Sequence, residues 1–268
     1  EKSFELSEAS HTPVMLQLRI RACHLQGTFE AKDNVFPKFS RNHALEQPVF
    51  DPSKTPLPPF QYAQEKDKVE RRWPAAVRFI REQGLNEVFY GPLDELGIIV
   101  QGGLYNVVAR SLQVLGLADV FGQTRIPIYV LNVTYPLVPD EVTGFCASKR
   151  AVLMIEEGQP PYLEDALHAV LRRADLQTRV HGKNHLPAAG EYTGEIVVSG
   201  IAKWVTDVRP RGVDTHEFDR IVDAMRTPAR RAAELLGMPV PPRPPGFCVG
   251  CPERPVFAAI KLMQRELG

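Results

Sequence analysis

Two cysteines separated by two residues, Cys248-Val249-Gly250-Cys251, carry the sharpest chemical signal in the sequence. Thiolates at that spacing can grip one metal ion or two corners of an iron–sulfur cluster. Gly250 keeps the turn between them tight. A complete site needs about four ligands. The remaining candidates, Cys23, Cys146 and scattered histidines, stand at no convincing spacing. A dithiol redox pair is the other reading, although that motif normally lies between a strand and a helix of a thioredoxin-like unit. Here it follows a proline-rich run. The chemistry is half present.

Three further groups invite a functional reading. Gly102 and Gly103 separate an apolar run from a helical pattern. A helix N-terminus there would offer N–H groups and a positive dipole end to a phosphate or carboxylate. Neither GxGxxG nor the Lys-Ser/Thr of a P-loop is present, so a tight strand-to-helix turn is the plainer reading. Glu156 and Glu157 close another apolar run. Adjacent carboxylates on a strand point to opposite faces, which argues against a paired acid–base site. A solvated strand end or a contact with a partner domain remains. Arg19 and Arg21 share a strand face and, with His24, could hold a carboxylate or phosphate. A basic, solubilising strand edge is the plainer reading.

These groups need elements to hold them. Residues 13–20 favour β structure, and the six prolines between 31 and 60 read as an extended linker. A charged helical stretch spans 61–83, interrupted or restarted at Pro74, with Trp73, Val77, Phe79 and Ile80 on its apolar face. Three apolar runs, 95–103, 126–134 and 150–158, read as buried strands. After the first comes a helix with Leu104, Val107, Val108, Leu112 and Leu115 on one face and Gly116 as its stop. Pro139 suits the first turn of a short helix after the second. The third leads into a helix with Leu163, Ala166, Leu167 and Val170 inward. Strands alternating with helices predict an α/β fold, a mostly parallel sheet with helices on both faces. Residues 181–200 contain a loop, a helix follows from about 214 to 236, and a second proline-rich linker precedes a last helix with Val256, Ile260, Met263 and Leu267 on one face.

Composition narrows the class. Apolar residues make up 44% and charged residues 24% of 268, which suits a globular chain with a real core. Lys+Arg and Asp+Glu balance at 32 each, so no global field argues for nucleic acid or an anionic membrane surface. No apolar run approaches the ~20 residues needed to span a bilayer. The first ten residues show no hydrophobic signal region, and the expectation is a cytoplasmic protein. A strand-like run without a partner near one end and a lone helix at the other suggest an excised internal piece of a longer subunit.

At the cysteines the sequence also takes on a family likeness. RPPGFCVGCPERPVFAAIKLMQREL resembles the start of the thiamine-diphosphate-binding domain of indolepyruvate (2-oxoacid):ferredoxin oxidoreductase large subunits, where P-x-x-C-x-G-C-P-H-R-x-x-F-x-A-L-K is typical. LGIIVQGGLYNVVARSLQVLGL, NVTYPLVPDEV and RAVLMIEEGQPPYLEDAL resemble the preceding domain, of transketolase C-terminal type. TPVMLQLRIRACHLQG looks like the end of the pyrimidine-binding domain, where a T-T-R-x-x-H run is common. The segments stand in the family's order, with 31–93 and 200–240 matching more loosely.

The resemblance implies a division into 1–60 (end of the pyrimidine-binding domain and linker), 61–93 (helical connector), 94–200 (transketolase C-terminal-like domain), 201–246 (helical segment and proline-rich linker) and 247–268 (start of the thiamine-diphosphate-binding domain). It implies oxidative decarboxylation of an aryl pyruvate such as indolepyruvate to an acyl-CoA, with thiamine diphosphate, Mg2+ and a [4Fe-4S] cluster in the full enzyme and ferredoxin as electron acceptor. Expected partners are the remaining domains of the subunit, a smaller gamma-type beta subunit, ferredoxin and coenzyme A. Cys248 and Cys251 would be iron–sulfur ligands, Arg21 and His24 substrate contacts, and Gly102, Gly103 and Tyr135 cofactor contacts at the carboxyl end of the sheet. Two departures stand out: Glu253 replaces the usual histidine after Cys-Pro, and Ile20 stands where a threonine is common. No Gly-Asp-Gly with a downstream asparagine occurs, so these residues alone are expected to bind neither cofactor and to be inactive. The competing readings are a non-catalytic scaffold that kept the α/β fold and a small zinc module on Cys248 and Cys251.

Overall fold

Three apolar runs form the centre of a five-stranded sheet in the computed structural model, which describes residues 2–18, 28, 30, 33, 51–238, 251 and 253–267. In chain order the strands are β1 (Glu87–Phe89), β2 (Leu96–Gln101), β3 (Ile128–Leu131), β4 (Ala151–Ile155) and β5 (Arg179–His181). Their spatial order is β1-β3-β2-β4-β5. β3, β2, β4 and β5 are parallel, and β1 pairs antiparallel to the outer side of β3. β2, β3 and β4 are buried almost throughout. Such strands read as continuous apolar runs because both faces are covered.

The helices in chain order are α1 (Lys2–Ser10), α2 (Gln61–Asp67), α3 (Trp73–Glu82), α4 (Tyr105–Val114), α5 (Pro139–Cys146), α6 (Tyr162–Arg173), α7 (Gly194–Val208), α8 (Phe218–Leu236) and α9 (Arg254–Leu267). Ile99, Tyr129, Val152 and Met154 pack with Val142, Phe145, Leu163, Leu167 and Leu171 of α5 and α6. Strand alternation sends Ile98, Val100 and Leu153 to the opposite face. There α4 and α7 pack on one another and bury Val108, Leu112, Val197, Ile201 and Trp204. Each such aliphatic side chain contributes about 1.5–3 kcal/mol by leaving water. The expected fold class is therefore the observed one.

Local signals explain several boundaries. Pro139 opens α5 as anticipated, and Gly116 takes φ +69° just after α4. Pro74 lies in the first turn of α3, and a five-residue π turn, Lys68–Arg72, joins α3 to α2. The charged stretch is thus restarted rather than broken. Its inner face is Ala76 and Ile80, packed with Leu6 of α1 and Val138, while Val77 and Phe79 are half-buried beside them. Thr193 caps α7 by accepting from the Ile196 N–H.

Elsewhere the structure corrects the reading. Residues 13–18 join no sheet and expose Met15, Leu16 and Leu18; β propensity alone makes no strand without a partner edge. Residues 19–20 lie outside the described set. The loop expected within 181–200 is present at 182–193, but the sequence reading leaves out α7 after it, whose apolar residues run on too continuously to show a helical period. β1 and β5, three residues each, are too short to show alternation.

The chain divides into two units, Glu1–Asp223 and Ala224–Gly268. The first holds the sheet. In the second, Val256, Ile260, Met263 and Leu267 of α9 are all exposed. Among the described residues no helix is long and apolar enough to cross a membrane.

Candidate functional site

Strand order places the site. From β2 the chain passes through α4 to β3 on one side, then through α5 back across to β4 on the other. The helices that leave β2 and β4, α4 and α6, lie on opposite faces, so the chain parts at the carboxyl ends of these two strands. Open α/β sheets present ligands at such a point. Gln101, Gly102 and Gly103 follow β2 there, and Glu156 and Glu157 follow β4.

Gly102 and Gly103 begin a single 3-10 turn, Gly102–Leu104, that leads into α4. Gly102 faces Asn132, the first residue after β3, so closely that an added Cβ would come within 2.5 Å of its Oδ1. Asn132 is held by its own bonds, donating Nδ2 to Leu85 O at 3.0 Å and to Glu87 Oε1 at 2.8 Å. The Val133 N–H donates to Asn86 Oδ1 at 3.0 Å. Tyr135 is 77% exposed, and its ring meets Trp73 edge-on at 5.1 Å. Gly102 and Gly103 thus follow the carboxyl end of β2, and Tyr135 that of its parallel neighbour β3.

Glu156 departs from the solvated strand end expected of it. The residue is 5% exposed, and its carboxylate accepts the Leu163 N–H at 3.0 and 3.1 Å and the Glu164 N–H at 3.1 Å. It caps α6 from seven residues upstream, filling the place that Pro161, with no capping side chain, leaves open. Glu157 accepts the Tyr192 N–H, and its own N–H donates to Gln101 Oε1 at 3.0 Å. Both carboxylates therefore bind backbone amides, which is positioning rather than proton transfer.

The loop 182–193 crosses this end of the sheet, fastened by a lysine that sequence reasoning passed over. Lys183 Nζ donates to Glu156 O and, at 2.8 Å, to Tyr192 Oη, which donates in turn to Pro187 O at 2.7 Å. Burial lowers the Lys183 ammonium from its usual range, against the pull of Glu156, Glu164 and Glu157. Burial, reinforced by those three carboxylates, pushes the Tyr192 phenol up to about 12. On the outer side His185 Nε2 meets Asp207 Oδ2 at 2.9 Å, and the His181 ring lies 5.0 Å from that of His185. No local pattern in the loop, which also holds Asn184, His185, Leu186 and Glu191, marks Lys183 and Tyr192 for this role.

A cavity of about 500 Å3 lies at the opposite, amino end of β4 and β5, lined by Lys149, Arg150, Thr178 and Arg179 among others. Lys149 donates to Asp94 Oδ1 at 2.7 Å and Arg150 to Glu95 Oε2 at 3.0 Å. α5 and α6 end here, so these cations offset the negative helix ends.

Arg21, His24 and Cys248 lie outside the described residues. Cys251 is half-buried and forms no disulfide. Among the described residues no three His, Cys, Asp or Glu side chains converge as metal ligands. Cys251 and the buried Cys146 are the two described thiols and join no group of three ligands, so the described residues do not by themselves fit an iron–sulfur cluster, nor the magnesium that would hold a diphosphate.

Comparison with known proteins finds relatives along almost the whole chain. The chain is 30% identical over 272 residues to indolepyruvate oxidoreductase subunit IorA of Methanothermobacter thermautotrophicus, covering 99% of the chain and 38% of that relative. Subunit IorA of Methanothermobacter marburgensis is 31% identical over 276 residues with the same coverage, and that of Archaeoglobus fulgidus 28% over 271. A solved 2-oxoglutarate:ferredoxin oxidoreductase from Magnetococcus marinus shares 16% identity over 55% of this chain and 23% of its own, with a TM-score of 0.39, too slight a likeness to carry an argument. No protein-family profile matches the chain. The chain spans well under half the length of the curated relatives it matches. Along nearly all of its own length, then, the chain is similar to about two fifths of the indolepyruvate oxidoreductase IorA subunit.

Proposed function

We propose that these residues form part of the large subunit of a thiamine-diphosphate- and iron–sulfur-dependent oxidoreductase. It decarboxylates aryl pyruvates such as indolepyruvate oxidatively to the acyl-CoA and passes the electrons to ferredoxin. The observation that carries this reading is similarity to IorA along 99% of the chain. In this reading residues 94–200 are a transketolase C-terminal-like domain, 1–60 and 247–268 are parts of the two thiamine-diphosphate domains, and a smaller gamma-type subunit completes the enzyme.

The chemistry assigned to this chain is framework chemistry. Thiamine diphosphate, when bound, supplies the carbanion-stabilising centre. Glu156, Glu157, Lys183 and Tyr192 hold the carboxyl end of the sheet in one shape, with their polar groups spent on the backbone and on each other. Such a rigid end suits a module that positions neighbouring domains rather than making bonds itself. Cys251, with Cys248, is the candidate contributor to a cluster whose other ligands come from elsewhere in the subunit.

The test is anaerobic purification of the full subunit with its smaller partner, with iron and thiamine diphosphate assayed. Ferredoxin reduction is then followed with indolepyruvate and coenzyme A. Turnover that needs both substrates is expected. A preparation loaded with both cofactors that reduces ferredoxin with no 2-oxo acid would overturn the reading. Turnover with alkyl 2-oxo acids only would replace the aryl preference.

A further inference from the structure

The amino end of the sheet carries an apolar projection that the reading above leaves unused. Between α4 and β3 the chain makes a tight knuckle whose tip, Val120 and Phe121, is 80% and 88% exposed. Single exposed apolar residues need no explanation. Two adjacent ones on a loop held this firmly do.

Asp119 Oδ1 accepts the N–H groups of Phe121 at 2.9 Å and Gln123 at 2.8 Å. Asp119 N donates to Gln123 O at 3.0 Å, and Gln113 Nε2 donates to Asp119 O at 2.9 Å. Ala118 and Thr124 form a β-bridge at the base, and Arg125 N donates to Leu117 O at 2.8 Å. A third exposed side chain stands at the same corner. Tyr90 is 83% exposed, and its neighbour Gly91 lies flush against Thr124 and Arg125, where an added Cβ would come within 2.6 Å of Arg125 O. The knuckle thus presents its apolar tip with little ordering left to do, the property that makes docking cheap.

We infer that Tyr90, Val120 and Phe121 form a preformed knob that seats in the remainder of the same subunit polypeptide. The inference rests on reading the chain as part of a longer IorA-type subunit. Size selects the occupant. Two aromatic rings and a valine offer on the order of 400–500 Å2, against the ~800 Å2 per partner of a stable association between free proteins. So small a patch holds a segment tethered to it, whose effective concentration reaches the millimolar range. It would not hold a separate protein. The curated relatives supply that tether, since well over half of each lies beyond the stretch matched here. The knob is at the sheet end opposite Gly102 and Glu156, so seating it leaves the carboxyl end open.

The test is hydroxyl-radical footprinting of the full subunit, native against denaturant-unfolded, with Phe121 and Tyr90 read by mass spectrometry. Protection of roughly tenfold is expected at both, in proportion to the area lost when a surface ring becomes a core one, and it should persist on dilution. Native reactivity close to the unfolded value overturns the inference. So does protection that vanishes on dilution or arises only when the smaller subunit is added, since the occupant is then another chain. The enzymatic reading is judged separately on the same sample. A subunit that turns over indolepyruvate with Phe121 fully reactive keeps that reading and loses the knob, and an inactive one with Phe121 protected does the reverse.

Discussion

The side-chain carbonyl of Gln101 accepts the backbone N–H of Glu157 at 3.0 Å, continuing the β2–β4 pairing one step past the last main-chain register, Val100 with Ile155. The two strands part direction at that point, with α4 leaving β2 on one face and α6 following β4 on the other. A side chain spanning the divergence keeps the two carboxyl ends from splaying. Around this bridge Glu156, Glu157, Lys183 and Tyr192 form a closed set of bonds, and the first consequences concern them.

Glu156 is the cap of α6, and its removal should be felt as a lost cap in a buried place. Glu156→Gln retains one acceptor and is expected to cost about 1 kcal/mol, and Glu156→Ala about 2–3 kcal/mol because two amide donors lose their acceptor. Urea unfolding midpoints measure both. Equal midpoints for wild type and Glu156→Ala would show that α6 needs no cap from β4.

Gly102→Ala drives a methyl into Asn132, whose bonds to Leu85 and Glu87 must then break. A loss of about 1–3 kcal/mol is expected, with Asn132→Ala recovering a large part of it, because contacting residues are non-additive. A double-mutant cycle by thermal unfolding reads the coupling. Strict additivity would mean that the two residues do not touch.

Alkali should weaken the loop 182–193 through Tyr192. Its phenol is raised from 10.0 to about 12, so between those values the folded state keeps a proton that the unfolded state has released. Stability from this group is full below pH 10 and is lost as pH rises through about 12. Tyr192→Phe should lose stability at neutral pH, for want of its bond to Pro187, and show a shallower alkaline decline. Unfolding free energies across that range, beside the tyrosinate absorbance, provide the check.

Cys146 is buried, and its thiol is pushed up to about 12 by that burial, so the reactive thiolate is absent at neutral pH. Iodoacetamide is expected to leave Cys146 unmodified in the native protein and to alkylate it fully after unfolding, with half-buried Cys251 reacting first. Peptide mass spectrometry decides the order, and rapid native alkylation of Cys146 would contradict its burial.

The strands at the centre of the sheet, their helices and the α/β class were legible from 96–101, 128–131 and 151–155, because a strand covered on both faces must be apolar throughout. The Gly102-Gly103 turn, the Pro139 start and the Gly116 stop were legible because backbone geometry restricts which residues can stand there. The family likeness was legible from the order of its segments, and the similarity to IorA agrees with it. What Glu156 and Lys183 do was decided by tertiary structure alone. The amides that Glu156 caps lie seven and eight residues on, and Lys183 reaches a carbonyl twenty-seven residues back, brought near by parallel pairing of β4 and β5. A local pattern records periodicity and turn chemistry, which act over a few residues. It does not record which strand ends become neighbours, and a carboxylate between two strand ends takes its role from the amides it meets there.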